Sequence, residues 1–193
     1  MEVNNLMNTK TKKLSTVSMV LCGMFAALVA IGAFIQIPVP YMDYFTLQFF
    51  FVLLAGLILG ADKGAISVGC YVLLGLVGVP IFAAGGGIGY IFRPSFGYLV
   101  GFIVSAYVTG KVCEKLKASY KNYLLACLAG FVVTYAIGIV YKFIILNFYA
   151  HTPATLGVIF LSCFPLDMPG DFVLCLLAAG VGLRMRKSGF YLG

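Results

Sequence analysis

The sequence predicts an all-α membrane protein with six transmembrane helices and with both termini in the cytoplasm. The chain has 193 residues, of which 62% are apolar or aromatic and only 10% are charged. A soluble domain carries roughly 25% charged residues and could not bury this much apolar surface. A spanning helix needs about 20 apolar residues, so the apolar content is sufficient for about six spans. A soluble enzyme, a disordered chain and a disulfide-stapled domain are therefore excluded.

Runs of sequence without Asp, Glu, Lys or Arg locate the helices, and turn residues between the runs indicate their ends. We predict helices near 15–37, 45–60, 64–79, 95–113, 122–148 and 169–185. Pro38 ends the first helix, and Gly60 begins the turn after the second. Pro80 follows the third helix and Pro94 precedes the fourth. Pro169 lies in the first turn of the last helix, where its missing N–H group costs nothing.

An even number of spans places both termini on one side, and the distribution of basic residues favours the cytoplasm for that side. This side would hold most of the basic residues, namely Lys10, Lys12, Lys13, Lys63, Lys111, Lys115, Lys117, Lys121, Arg184, Arg186 and Lys187. The prediction is a cell-membrane protein of N-in, C-in topology. It has a cytoplasmic tail at 1–13, a single membrane domain at 14–185 and a second cytoplasmic tail at 186–193.

The sequence offers few groups for catalysis or for metal binding. Its six cysteines lie in or beside apolar runs without a C-x-x-C pair, so we expect them to pack as small apolar side chains. The single histidine, His151, has no cluster of partners that would complete a metal site. No nucleotide-binding or hydrolase motif occurs in the chain. We therefore expect no cofactor in this chain, no enzymatic activity and no nucleic-acid partner.

Three ionisable residues lie in or beside predicted helices, where insertion of a charge costs ~2.5–3.5 kcal/mol. Lys142 interrupts the apolar stretch near the outer end of helix five, Asp171 begins helix six, and Arg93 closes the loop before helix four. Structural explanations exist for each: snorkelling of Lys142, a favourable helix dipole for Asp171, and solvation of Arg93 in a loop. The alternative is that the three residues serve a binding site near the outer surface.

A glycine-rich segment at 78–90 (GVPIFAAGGGIGY) forms the outer loop between predicted helices three and four. Gly85, Gly86 and Gly87 would let the backbone approach a ligand closely. The apolar neighbours of these glycines favour a cap or re-entrant loop, because such backbone is tolerated only against protein or a wet cavity. A flexible connector is the alternative.

Small residues recur at four-residue spacing along helix one, where Gly23 pairs with Ala27 and Ala26 with Ala30. Each pair lies on one face of the helix, and small side chains allow another helix to approach closely. The two interpretations are packing within the protein and docking of a partner subunit.

At these residues the sequence resembles the BioY family, the biotin-binding S components of energy-coupling-factor (ECF) transporters. The resemblance covers about 20–185, and its main pieces are "IPVP" at 37–40, "TLQ" at 46–48, "GLVGVPIFAAGGG" at 75–87, "PSFGYLVGF" at 94–102 and "PGD" at 169–171. It implies a six-helix subunit that takes biotin from outside. Transport would then involve a membrane coupling subunit and two cytoplasmic ATPases, which would use ATP and Mg²⁺.

The resemblance also implies roles for individual residues. Asp171 matches the family's aspartate that binds the ureido end of biotin, and the glycine-rich loop with the segment after it would wrap the ligand. Ala26 and Ala30 match an A-x-x-x-A face that docks the coupling subunit.

Two departures from the family pattern affect the polar groups of the site. The family has a lysine about one turn after Pro-Gly-Asp, whereas this chain has Leu174 and Cys175 there. The family's Gly-Pro-Thr-Gly-Gly-Tyr pattern is replaced by the six residues that begin with Arg93. We hypothesise that Lys142 supplies the missing cation from helix five, either by pairing with Asp171 or by meeting a ligand carboxylate.

Biotin requires an acceptor for its ureido ring, apolar walls, and a cation or backbone N–H groups for its carboxylate. The candidate binding residues are Gln48, Phe82, Gly85, Gly86, Gly87, Arg93, Ser95, Tyr98, Lys142 and Asp171, with Phe96 as a further wall. Two alternatives stay open. One is the same architecture with a related small carboxylic acid, such as a biotin precursor, and the other is a transporter that acts alone.

Overall fold

A computed structural model describes residues 15–37, 45–163, 167–189 and 191 of the chain. Its helices, in chain order, are α1 (Thr16–Phe34), α2 (Gln48–Leu59), α3 (Ala61–Val77), α4 (Phe96–Lys115), α5 (Tyr120–Ile144), α6 (Leu156–Cys163) and α7 (Asp167–Lys187). A short 3₁₀ helix (Ile88–Phe92) precedes α4, and a π-helical turn (Ile145–Tyr149) continues α5. Strands β1 (Gln36–Ile37) and β2 (Phe45–Thr46) form an antiparallel pair after α1.

All six helices expected from the sequence are present, with ends within four residues of the predicted ones. Helix α6 was not predicted, because it lies in the long apolar run 143–166, which contains no charge to mark its ends. The predicted helix stop at Pro38 and the tail at 1–13 lie outside the described residues. At the other end α7 continues to Lys187, so the predicted domain boundary at 185 falls inside the helix.

Four helices of the described chain are long and apolar enough to cross a membrane: α1, α4, α5 with its π-helical turn, and α7. Helices α2 and α3 have 12 and 17 residues. Each is shorter than the ~20 residues that a perpendicular span requires. Length and composition therefore support four spans directly, and the six-span topology stays a prediction.

Local sequence explains how α1, α2 and α3 begin and end. The Ser15 side chain accepts a hydrogen bond from the Ser18 backbone N–H (3.2 Å), which caps the start of α1. Helices α2 and α3 are joined by Gly60 alone, whose φ of +84° is accessible to glycine and strained for other residues. The chain turns sharply there, so that α2 and α3 pack against each other.

The core is built around α2, which contacts α1, α3, α4 and α7. Ten of its 12 residues are buried, so this helix is apolar on all sides. Helix α4 packs along α5 at glycine positions on both helices. A Cβ atom at Gly101 would lie 3.1 Å from the Thr134 carbonyl oxygen, and one at Gly97 would lie 2.3 Å from the Tyr141 side chain. Small residues at these crossings allow the close helix contact typical of membrane bundles.

One end of the bundle is basic, and we call it the basic end. The described basic residues at helix ends here are Lys63, Lys111, Lys115, Lys117, Lys121, Arg184, Arg186 and Lys187. Hydrogen bonds tie the helices together at this end. The Ala61 N–H donates to Glu114 Oε1 (2.8 Å), and Arg186 donates to the Tyr123 hydroxyl (3.1 Å). The Arg186 guanidinium also stacks on the Tyr191 ring, 4.1 Å from its centroid.

The cysteines of the chain are all free thiols. Five of them are buried, which confirms the expectation that they pack as small apolar side chains, whereas Cys70 is exposed.

Candidate ligand-binding site

A cavity opens at the end of the bundle opposite the basic end, between α2, α4, α5 and α7. It encloses about 800 Å³ of empty space, its open mouth included. Aromatic and aliphatic side chains form most of the wall, and a few polar groups converge on it.

The cavity contains a carboxylate held by a tyrosine. Asp171, in the first turns of α7, accepts a hydrogen bond from the Tyr135 hydroxyl of α5 at its Oδ2 atom (2.8 Å). The Tyr135 ring packs against Phe131 (4.7 Å between centroids) and edge-on against Tyr98 (5.8 Å). Tyr98 in turn contacts the Cys163 sulfur of α6 through its hydroxyl (3.1 Å). Four helices thus contribute to the surroundings of one carboxylate.

Lys142 supplies a positive charge to the same cavity. It follows Tyr135 by seven residues on α5. At about 1.5 Å per residue, this spacing places it two turns, or roughly 10 Å, further along the same face. Among the described residues Lys142 forms no ion pair within 4.0 Å. Asp167, one turn before Asp171 on α7, also lines the cavity. The polar groups are therefore distributed along the cavity rather than gathered at one point.

Gln48, at the start of α2, is 4% exposed and organises the wall between β2 and α3. Its Nε2 atom donates to the Tyr71 hydroxyl (2.6 Å), and its Oε1 atom accepts from the Thr46 hydroxyl (3.1 Å). The Tyr71 hydroxyl donates to the Ile81 carbonyl (3.1 Å), which ties the glycine-rich loop to the same network. Much of the hydrogen-bonding capacity of Gln48 is therefore used within the protein.

The glycine-rich loop is folded against the end of α3. Phe82 and Gly85 exchange two backbone hydrogen bonds (2.9 and 3.1 Å), which makes a two-residue turn with Ala83 and Ala84 at its tip. This tip lines the cavity. The Phe82 ring lies directly over Gly75, where a Cβ atom would fall 2.1 Å from Phe82 Cζ. Only glycine at position 75 leaves room for the ring that anchors the loop.

Half of the ten predicted binding residues line the cavity: Gln48, Ser95, Tyr98, Lys142 and Asp171. Phe82 lies behind the wall, where it packs on Tyr71 and Tyr90 (5.5 and 4.6 Å between centroids). Phe96 is buried against Tyr141 (5.8 Å). The Phe82 and Phe96 rings thus support the site without lining it.

The predicted carboxylate partners in and after the loop also lie outside the lining. The amide of Gly85 is bonded to the Phe82 carbonyl, and the amide of Gly87 to the Gly75 carbonyl (2.7 Å). At Gly86 an added Cβ would lie 2.3 Å from the Val79 carbonyl oxygen. Arg93 is exposed, with its guanidinium carbon 5.4 Å from the centroid of the Tyr90 ring. In this conformation Lys142 is the predicted cation that reaches the cavity.

Sequence reasoning missed several lining residues: Phe45, Thr46, Phe49, Ala83, Ala84, Tyr90, Leu99, Phe102, Tyr135 and Asp167. Two of them carried a usable signal. Tyr135 shares a helix face with Lys142, and Asp167 precedes Asp171 by one turn. Phe45 carried none, because it meets α7 only through the tertiary fold. Its ring lies on Gly170, where a Cβ atom would be 2.4 Å away.

The small residues of α1 divide between two faces. Ala26 is buried in the core at 8% exposure, and Ala30 is half-buried. Gly23 and Ala27 are exposed. The pair that the resemblance implied for docking therefore packs largely within the bundle, and the other small pair faces outward.

Long apolar helices around a small-molecule cavity at one end define a membrane protein that binds a small ligand. The BioY family profile matches residues 7–189, and the chain belongs to the BioY family. It is 40% identical over 177 residues to the probable biotin transporter BioY of Lysinibacillus sphaericus, covering 91% of this chain and 90% of that one. It is 39% identical to the biotin transporter BioY of Thermotoga maritima, covering 86% and 93%.

A solved structure is also similar to this chain, namely the S-component for biotin from an ECF-type ABC transporter. The TM-score is 0.80 at 25% sequence identity, and the match covers 91% of this chain and 93% of that one. The expected family resemblance is thereby confirmed.

Proposed function

We propose that this chain is the biotin-binding S component of an ECF transporter and serves in vitamin uptake. The observation that carries the proposal is the cavity. A carboxylate held by a tyrosine and a lysine roughly 10 Å further along α5 line one space in the fold of a biotin S component. Family membership supports a role in transport rather than catalysis.

The cavity matches the three chemical parts of biotin. The Asp171 carboxylate would accept hydrogen bonds from the ureido N–H groups, and such charge-assisted bonds are roughly twice as strong as neutral ones. Phe49, Leu99 and Phe102 form apolar wall for the middle of the ligand. Lys142 would pair with the valerate carboxylate. The ureido ring would thus lie at Asp171 and the carboxylate towards Lys142.

Lys142 would take the place of the lysine that the family has after Pro-Gly-Asp. Here Cys175 is fully buried and bonded through its thiol to the Cys127 carbonyl (3.7 Å), so no cation is available from that turn. Arg93 would reach a bound carboxylate only by leaving Tyr90. The comparisons favour neither a different carboxylic acid nor a transporter that acts alone.

The arrangement in the membrane is part of the proposal. The basic end would face the cytoplasm, in keeping with the positive-inside rule, and the cavity would open to the outside of the cell membrane. The six helices that the sequence predicts, α1 to α5 and α7, would all cross the membrane, with the short α2 enclosed by the others. The Gly-rich loop would then lie on the outer side.

Energy for transport would come from partners. The chain would assemble with the membrane coupling subunit and two ATPases of an ECF transporter, and ATP and Mg²⁺ would bind to those ATPases. The exposed Gly23 and Ala27 of α1 form the small-residue face that remains open for the coupling subunit.

Equilibrium binding to the detergent-purified chain tests the ligand. We expect calorimetry to detect tight binding of one biotin per chain, with dethiobiotin, lipoate and pimelate as weaker competitors. Capture of another acid in preference to biotin would replace the substrate and keep the architecture. Binding of none of these compounds by folded protein would refute the proposed function.

A further inference from the structure

We propose that Tyr135 is a positioning residue that holds the Asp171 carboxylate in the orientation that a ureido ligand requires. This inference rests on the proposed function and deepens it, since it concerns the specificity of the same cavity. Tyr135 belongs to no sequence motif, and in the sequence only its place on the same helix face as Lys142 connects it with the site.

The hydrogen bond between the two residues leaves a defined part of the carboxylate for a ligand. Tyr135 donates to Oδ2 of Asp171 at 2.8 Å. No other described side chain or backbone N–H donates to this carboxylate, and Asp171 is only partly buried and lines the cavity. The remaining lone pairs are therefore available to the N–H donors of a ligand.

Tyr135 is suited to this role because its own position is constrained. The residue is 5% exposed. Its ring is confined between Phe131 and Tyr98, and Gly138 gives Tyr98 the space to lie there, since a Cβ at that position would be 2.4 Å from the Tyr98 ring. A side chain fixed by packing on two sides loses little freedom on binding, so it can fix the carboxylate before the ligand arrives.

An aspartate without this partner would retain rotation about its side-chain bonds. Binding of a ligand would then have to order the carboxylate as well as pair with it. Removal of the Tyr135 hydroxyl alone should therefore weaken ligands that use Asp171 and spare ligands that do not. A purely structural role for Tyr135 would affect both kinds of ligand.

The test is a double-mutant cycle on biotin affinity, measured by calorimetry on the folded purified chain. Tyr135→Phe should weaken biotin binding by about 10- to 100-fold, the range for a hydrogen bond to a charged group. In an Asp171→Ala background the same substitution should change affinity by less than about 3-fold, because the side chain that accepts the Tyr135 hydrogen bond is gone. Tyr123→Phe is the matched control, since it removes a hydroxyl paired with Arg186 at the basic end.

A second ligand keeps the test decisive if Asp171→Ala binds biotin too weakly to measure. Tetrahydrothiophene-2-valerate keeps the sulfur ring and acid of biotin and lacks the ureido group. We expect Tyr135→Phe to leave its affinity in competition assays unchanged. An equal loss for both ligands, or the full loss in both the aspartate and the alanine backgrounds, would overturn the inference. Failure of the wild-type chain to bind biotin is seen before any variant is made, and it would refute the proposed function instead.

Discussion

Replacement of Lys142 by methionine separates a ligand-binding lysine from one that only snorkels to the membrane surface. Methionine keeps most of the side chain's length and apolar character, so the substitution removes the charge and little packing. We expect Lys142→Met to weaken biotin binding and to leave the folded structure intact. Biotin amide, which has no carboxylate charge, should bind to the variant and to the wild type with similar affinity.

The magnitude follows from the position of Lys142. It lines the cavity and has no ion-pair partner within 4.0 Å among the described residues, so a ligand carboxylate would meet an uncommitted cation. Two unit charges 4 Å apart attract by about 4 kcal/mol at an effective dielectric constant of 20, before desolvation is subtracted. Hydrogen bonds to charged groups are worth about 1.5–3 kcal/mol net. At 1.4 kcal/mol per tenfold change, the expected loss of affinity is roughly 10- to 100-fold.

Calorimetry with both ligands on three variants is the assay. Lys111→Met is the matched control, because Lys111 pairs with Glu114 at the basic end (3.5 Å) and should not affect either ligand. Arg93→Met should cost biotin less than about 3-fold, since Arg93 lies over Tyr90 outside the cavity lining and its pairing is weak where exposed. Equal losses for acid and amide in Lys142→Met, or a larger loss in Arg93→Met, would refute the reasoning.

Two further substitutions test the loop anchor and the docking face. Gly75→Ala should lower the melting temperature and also weaken biotin binding, because the new methyl group would displace the Phe82 ring. Gly69→Ala is the control in the same helix. Its methyl group would enter open space, so this substitution should leave stability unchanged or raise it slightly. Unchanged binding in Gly75→Ala would show that the loop does not need this anchor. Ala27→Trp should leave biotin binding unchanged and sharply reduce co-purification with the coupling subunit and ATPases. Val132→Trp, at an exposed position on α5, is the control and should not reduce co-purification. Normal assembly of Ala27→Trp would exclude this face of α1.

The helices were predictable because lipid permits few charges, so that each charged cluster marks the end of a span. The same property concealed other features. Helix α6 lies in an apolar run with no charges to mark its ends. In addition, a helix that is apolar on all sides gives no pattern from which its buried face can be told from its exposed face. For this reason the four-residue spacing of small residues in α1 could not predict that Ala26 is buried and Ala27 exposed.

The polar part of the site was more predictable than its walls. Asp171 and Lys142 are conspicuous in apolar surroundings, because an ionisable group there needs a partner or a function. The glycine-rich loop was predicted to contact a ligand through its glycines, whereas in the structure these glycines fold the loop and its two alanines line the cavity. Which side chain lies at the surface of such a loop depends on how Phe82 packs against Gly75. Gly75 lies in α3 and Phe82 in the loop, and neither local sequence predicts that the two residues meet.

The short central helix α2 restricts the route that a ligand can take through this protein. Twelve residues extend for about 18 Å, against a hydrocarbon layer of about 30 Å, and the cavity begins where α2 begins, at Gln48 and Phe49. Every residue of the helix from Val52 to Leu59 is buried, so this part of α2 fills the centre of the bundle. A fixed pore along this axis would require removal of α2 from the centre of the bundle. Passage to the opposite side would therefore demand movement of the whole bundle or separation of its helices.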